Sequence, residues 1–283
     1  MTAIISTAYS RDLGDELRHL RETCTTLGGR AMAVQLGWDP SKVSNIETGK
    51  ARASDVDLAQ YLATCGKDLD FLQEFSNRYR HAFDLYYAQA PGTLRTLAMV
   101  ESMATKIFAY EILSIPGLLQ TESYARALFT EIGSGSLEDI EKGVERRMGR
   151  QSIWRRPYRP ECVFYVHEVA LRMRIGDAKV MEDQYLRLLF NAHILRVVPA
   201  TIKGFAFRSK CTLFEFSKAS PLAYTETDLA KVFAQGPEAL AASRKLFERL
   251  DAVALDEEQS KNRLAEYVSG LREDPHDPRT DLA

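Results

Sequence analysis

The chain has no uninterrupted apolar run near the roughly 20 residues that a membrane-spanning helix needs, so no segment is available to cross a bilayer. Its start, MTAIISTAYS, lacks the basic region and long apolar stretch of a secretory signal, and the sequence therefore predicts a cytoplasmic protein without membrane association. Cysteines are few: Cys24, Cys65, Cys162 and Cys211 lie far apart, with no C-x-x-C pair and no histidine at zinc-ligand spacing. That argues against a disulfide framework and a structural zinc site, and leaves free, mostly buried thiols as the expectation. The phosphate-cradling patterns G-x-x-x-x-G-K-[ST] and G-x-G-x-x-G after a strand are missing, as is the G-x-S-x-G turn of a nucleophilic serine. No cofactor, metal or catalytic residue is expected, and an enzyme ranks last among the function classes. A large charge of either sign is absent too. The formal net charge is -2, so any attraction to nucleic acid must come from local patches. There is no internal repeat and no low-complexity stretch.

What is present is an ordinary globular composition, 45% hydrophobic and 27% charged, over 283 residues, enough for a small domain joined to a larger one. From Arg11 the pattern is one of short helices and polar turns. Leu13, Leu17 and Leu20 are spaced for one buried face. The cluster Ala31, Met32, Val34, Leu36 stops at Gly37, suited to the left-handed conformation just past a helix end. Asp39 is placed to cap the next helix and Pro40 suits its first position, which predicts a short helix from Ser41 to about Thr48. Ser54 with Asp57 resembles a capping box opening a fourth helix, and Asp68 to about Ala82 reads as a connecting helix. Ala90-Pro91-Gly92 marks a break.

The expected division is an arm at 1–10, a five-helix unit at 11–66, a connecting helix or linker at 67–90, a mixed domain at 91–272 and a disordered tail at 273–283. In the mixed domain, Met103 to Glu111 reads as helical, a capped helix follows Thr121, and a long helix runs from Ser136 toward Arg156. Val163–Val169, Leu195–Val198, Thr212–Phe216 and Leu222–Thr225 read as strands of one small, mainly antiparallel sheet. Helices are expected at Asp177–Ala192, Pro237–Ala252 and Glu257–Leu271. The fold class is α+β: an all-α five-helix unit followed by a larger α+β domain.

The segment SKVSNIETGK separates into two faces. Val43 and Ile46 are spaced to face inward, whereas Ser41, Lys42, Ser44 and Asn45 form the small, polar, exposed face that a helix needs in a DNA major groove. Asn45 suits an adenine edge and Lys42 a guanine edge, while Ser41 and Ser44 fix register. Lys50, Arg52 and Arg30 are placed for phosphates.

The run LGWDPSKVSNIETGK resembles the recognition-helix segment of lambda-repressor-like, or XRE, helix-turn-helix proteins, and the match covers Arg11 to Gly66. That resemblance implies a five-helix fold, operator binding as a homodimer, and a structural role for Glu47 near the helix end. Pro40 stands where many relatives carry a polar DNA-contacting residue, which moves specificity toward Ser41, Lys42 and Asn45.

Further along, IPGLLQTESYARALF at 115–129, RRMGRQ at 146–151, YVHEVALRMRIGD at 165–177, VMEDQYLRLL at 180–189 and LAYTET at 222–227 resemble the carboxy-terminal domain of streptomycete-type XRE regulators, the antitoxin-like, WhiJ-like group. The resemblance implies transcriptional control and a small protein partner encoded next door. It implies no catalysis.

Three further features are weighed. His167 beside Glu168 has no third ligand spaced to join it, so a helix start and an internal ion pair are expected there. Arg146, Arg147, Arg150, Arg155 and Arg156 form a candidate partner surface, against the plainer reading of solvated helix surface. Tyr165, Phe205, Phe207, Phe214 and Tyr224 are candidates to line a pocket for a small-molecule effector, against the plainer reading of core aromatics. The expectation is a dimeric transcriptional regulator that reads an inverted repeat in a double-stranded DNA operator and is controlled at its second domain. The alternative is an antitoxin-like interaction module that neutralises a small neighbouring protein.

Overall fold

The computed structural model describes residues 6–89, 95–133, 135–202 and 209–273. The expected break at Ala90-Pro91-Gly92, the pocket candidates Phe205 and Phe207, and the tail from residue 274 lie outside the described residues.

The first five helices are α1 (Ala8–Cys24), α2 (Gly29–Leu36), α3 (Pro40–Glu47), α4 (Asp55–Thr64) and α5 (Leu69–Tyr79). Each boundary has a local cause. Helix α1 opens on a capping box in which Thr7 Oγ1 accepts from the Ser10 amide and Ser10 Oγ from the Thr7 amide, so it begins three residues earlier than the apolar spacing predicts. Gly37, at φ 67°, ends α2, with the Gly37 and Trp38 amides closing onto the carbonyls of Val34 and Ala33. Asp39 caps α3 through the Ser41 amide at 2.7 Å, and Ser54 with Asp57 caps α4 reciprocally. Leu13, Leu17, Met32, Val43, Ile46, Leu58, Tyr61 and Phe75 make the core of this unit.

The remainder runs β1 (Tyr86–Gln89), α6 (Arg95–Met103), β2 (Lys106–Glu111), α7 (Glu122–Glu131), α8 (Leu137–Arg150), β3 (Glu161–His167), α9 (Glu168–Arg172), α10 (Ala178–Phe190), β4 (Leu195–Val198), β5 (Cys211–Glu215), β6 (Leu222–Glu226), β7 (Lys231–Ala234), α11 (Pro237–Asp251) and α12 (Glu257–Glu273). The seven strands form one mixed sheet in the order β1-β7-β6-β5-β2-β3-β4. Strands β2, β3 and β4 run parallel, and the other pairings are antiparallel. The helices between β2 and β3 and between β3 and β4 supply the crossovers that parallel pairing requires.

Three strands differ from the sequence reading. Met103–Glu111 is not helical throughout: α6 stops at Met103 and Lys106–Glu111 is the central strand β2, pairing with both β3 and β5. Its β-branched and aromatic residues alternate, Ile107 and Ala109 into one core and Phe108 and Tyr110 toward the other. Tyr86–Gln89 belongs to the segment read as a connector, yet it forms an edge strand on β7, itself not foreseen. The long helix from Ser136 ends at Arg150 and continues as a 3-10 turn over Gln151–Arg155.

One sheet face packs on α11 through Tyr165, Leu213 and Phe247. The other shares a core with the five-helix unit. The rings of Tyr9, Tyr87 and Phe233 stack in sequence, with centroids 4.3 and 4.8 Å apart. Thr96 Oγ1 donates to Asp12 Oδ2 at 2.6 Å and the Ala8 amide to Gln235 Oε1 at 2.7 Å. The helical unit is thus docked on the sheet by buried contacts.

Within that unit α1 and α3 touch backbone to backbone. A Cβ added at Gly14 would lie 2.6 Å from the Ile46 carbonyl oxygen and 2.7 Å from that of Glu47. The obstacle is main chain, so Gly14→Ala is expected to lose about 1 to 3 kcal/mol despite alanine's better helix propensity. Urea unfolding measures it, and an unchanged or raised midpoint would contradict the contact.

Candidate nucleic-acid interface

Helix α3 is the centre of the candidate site. Its inward side is closed: Val43, Ile46 and Glu47 are buried. Its outward side is open, with Ser41 and Ser44 exposed and Lys42 and Asn45 half-buried. The Asn45 side-chain amide makes no hydrogen bond to the described residues, which leaves its donor and acceptor available together.

Lys42 is held more closely than its sequence position suggests. Its Nζ lies 2.6 Å from Asp57 Oδ1 and 4.2 Å from the centre of the Trp38 ring. Reaching a base edge therefore means leaving a carboxylate partner, and Asp57 and Trp38 are the neighbours that sequence reasoning missed. Arg30, at the start of α2, and Lys50, just beyond α3, are exposed and make no side-chain bond within the described residues. Arg52 is exposed too, its guanidinium 5.1 Å from the Phe83 ring centre. The seven candidate DNA contacts thus lie on or beside α3 and at the start of the helix before it.

What fixes the tilt of α3 is Glu47. Arg21 Nε donates to Glu47 Oε1 at 2.7 Å and Nη2 to Oε2 at 3.0 Å, a two-bond match, while the Tyr61 hydroxyl donates to Oε1 at 2.6 Å. Arg21 Nη1 also donates to the Leu27 carbonyl, tying in the turn that precedes α2. The Glu47 hydrogen bond is the main cause holding the Arg21 guanidinium above its ordinary range, and burial followed by the neighbouring carboxylate raises the Tyr61 phenol. The role implied for Glu47 by resemblance is therefore visible as chemistry, whereas Arg21 and Tyr61 sit in helices whose apolar spacing gave no sign of a polar cluster.

The second domain divides the arginine group. Arg155 is exposed. Arg146 is also exposed, and its Nε donates to the Lys142 carbonyl. Arg156 donates to the Ser102 carbonyl. Arg147 and Arg150 do not belong to a surface: both turn inward and line a cavity under the sheet, Arg147 donating to Gln120 and Arg150 pairing with Glu101 of α6. Of the aromatic pocket candidates, Phe214 and Tyr224 line the same cavity. Tyr165 faces the opposite side of the sheet, where its hydroxyl donates to Asp251 Oδ1 at 3.0 Å.

His167 caps α9, its Nδ1 accepting from the Val169 amide at 3.1 Å, and burial lowers its pKa. Glu168 is buried, pairs with Arg263 and Arg172, and accepts from the Ala200 amide at 2.9 Å. That corner is an internal ion-pair network. No group of three or more potential metal ligands occurs among the described residues.

Removing Glu47 strands a buried guanidinium, so Glu47→Ala is expected to cost about 3 to 5 kcal/mol in chemical denaturation. Glu47→Gln retains an acceptor for Arg21 and Tyr61 and should cost less. Equal stability of wild type and Glu47→Ala would show that the cluster does not hold the fold.

Two family models match the chain. The model of the helix-turn-helix domain covers residues 12–75, and the model described as a domain of unknown function, DUF5753, covers residues 94–266. No curated protein and no solved structure matches. No helix among the described residues is long and apolar enough to cross a membrane. The order of the two matches fits the layout implied by the resemblance to streptomycete-type regulators. With more than half of its length matched by the second model and α1–α5 by the first, the chain belongs to the DUF5753 family and carries an XRE-like helix-turn-helix DNA-binding unit ahead of that domain.

Proposed function

We propose that the protein is a sequence-specific transcriptional regulator that binds an inverted repeat as a homodimer and is controlled at its second domain by a small molecule or a small protein partner. The observation that carries this reading is the open polar face of α3 on a helix whose other side is locked by Val43, Ile46 and the Arg21–Glu47–Tyr61 cluster. A helix presented in this way enters the major groove with its first turns against the base edges. Asn45 reads an adenine edge. Lys42 moves from Asp57 to a guanine edge, and Ser41 and Ser44 set the register. Arg30, Lys50 and Arg52 hold phosphates on either side. Two copies bound to one operator place their recognition helices about one helical turn of DNA apart, roughly 34 Å.

The structure carries its own control for Lys42. Because Asp57 neutralises Lys42 in the free protein, Asp57→Asn releases the lysine without touching the α3 surface. It also leaves an oxygen at the Ser54 cap.

Gel-shift titrations against a selected operator test the assignment. Asn45→Ala is expected to lose discrimination at one base position by about 1 to 3 kcal/mol. Lys50→Ala is expected to weaken all sequences alike and to reduce the slope of log affinity against log salt by about 1. The same response from both variants would refute the division into base-reading and phosphate-holding residues. Failure of wild type to select any sequence from a random pool would refute the function.

A further inference from the structure

Beneath the central strands lies a cavity of about 800 Å³, bounded by α6, the 115–118 turn, α7, α8 and the sheet. This is within the size range of pockets that hold small organic ligands. Leu97, Ile107, Phe129, Phe164, Ile175 and Phe214 give it apolar walls, and Leu113 and Ile132, both largely solvent-exposed, flank it. A second group of walls is charged: Arg147, Arg150 and Lys210 with Glu101, Glu111, Glu131, Glu226 and Asp228.

The pairing of those charges is incomplete. Arg150 makes a two-bond ion pair with Glu101, at 2.7 and 2.6 Å, and Lys210 lies 2.6 Å from Glu226. Among the described residues Arg147 has no carboxylate within ion-pair distance: Nη1 donates to the amide oxygen of Gln120 at 2.7 Å, Nε finds no acceptor among them, and the guanidinium rests 5.1 Å from the Phe129 ring centre. The Glu111 carboxyl has neither a hydrogen bond nor an ion pair among the described residues. A buried guanidinium without a counter-charge is costly, and an anionic guest removes that cost.

We propose that this cavity binds a small amphipathic carboxylate, with the carboxylate on Arg147 and an apolar body along Ile107, Phe164 and Phe214. The inference deepens the effector half of the proposed function, and its test contains no DNA. Glu111 sets the alkaline limit of the site. Burial pushes its carboxyl up to about 7, so near neutrality it is partly protonated and donates to an anion. The charged and titratable groups around it are Arg147 and Arg150 of α8, Lys210 ahead of β5, Tyr224 and Glu226 of β6 and Tyr124 of α7, with Glu101 of α6, Glu131 of α7 and Asp228 beyond β6 on the same cavity wall. The cavity also has a mechanical link to the reading helices. Helix α6 supplies Leu97 and Glu101 to its wall, while the adjacent Thr96 donates to Asp12 of α1.

The full-length protein is titrated with 1-anilinonaphthalene-8-sulfonate, an apolar fluorescent anion. The bound probe is then displaced by decanoate, decan-1-ol or decylammonium, three guests of one length and different head charge. The expected result is saturable probe binding at one site per chain, displaced by decanoate at a concentration at least about tenfold below that of the alcohol or the amine. Arg147→Leu should remove the advantage of decanoate over decan-1-ol, and Arg147→Lys should restore part of it. Between pH 6 and 8 decanoate stays ionised while Glu111 loses its proton, so decanoate binding should weaken several-fold as pH rises. Glu111→Gln should flatten that dependence. Absence of saturable probe binding, equal displacement by the three wild-type titrants, or a preference for decylammonium would each overturn the proposal without recourse to a variant. Because operator affinity is not measured, loss of the DNA-reading function would leave these outcomes unchanged.

Discussion

The seating of α3 depends on one buried ion pair. Glu47 ends α3, Arg21 lies near the end of α1, and their two hydrogen bonds fix the distance and rotation of one helix against the other. The glycines at 14 and 49 allow the approach. At Gly14 and Gly49 alike a side chain would meet backbone atoms of the opposing segment, and Gly49 in addition sits at φ 66°. Tyr61 brings α4 into the same cluster. A two-turn helix has little stability of its own, so the tertiary contacts rather than propensity make α3 rigid enough to present side chains at defined positions.

The second constraint is the join between the helical unit and the sheet. The chain leaves α5, adds β1 to the edge of the sheet and then enters α6, which packs back on α1. Bonds from Thr96, Gln235 and the Tyr9–Tyr87–Phe233 stack therefore tie the start of α1 to elements far away in sequence. Since α1 also carries Arg21, α6 and α3 are bonded to one and the same helix. The cavity lies on the other side of α6, which makes that helix the common wall of the two halves.

Much of this architecture is legible in the residues, and the pattern of what is not legible has a physical basis. Caps are local, so Asp39-Pro40, Ser54 with Asp57 and Ser136 with Asp139 place helix starts closely. Strands are not local. Lys106–Glu111 carries a strand-like alternation, but the adjoining helix α6 blurs the boundary, and pairing with β3 and β5 decides the matter. For the candidate site, the outward position of Ser41 and Ser44 follows from helical period. The capture of Lys42 by Asp57 does not, because it depends on the packing of α4 against α3. Arg147 and Arg150 illustrate the same limit. Charge in a helix reads as surface until the partners Glu101 and Gln120, 49 and 27 residues away, are in place.

The ring stack through Tyr9, Tyr87 and Phe233 bears on how modular the helical unit is. A recognition unit whose first turn is roofed by a neighbour's edge strand cannot be exchanged between proteins like a bead on a string. Its stability is coupled to that of the sheet. Grafting this helical head onto an unrelated body should therefore uncover Tyr9 and cost stability.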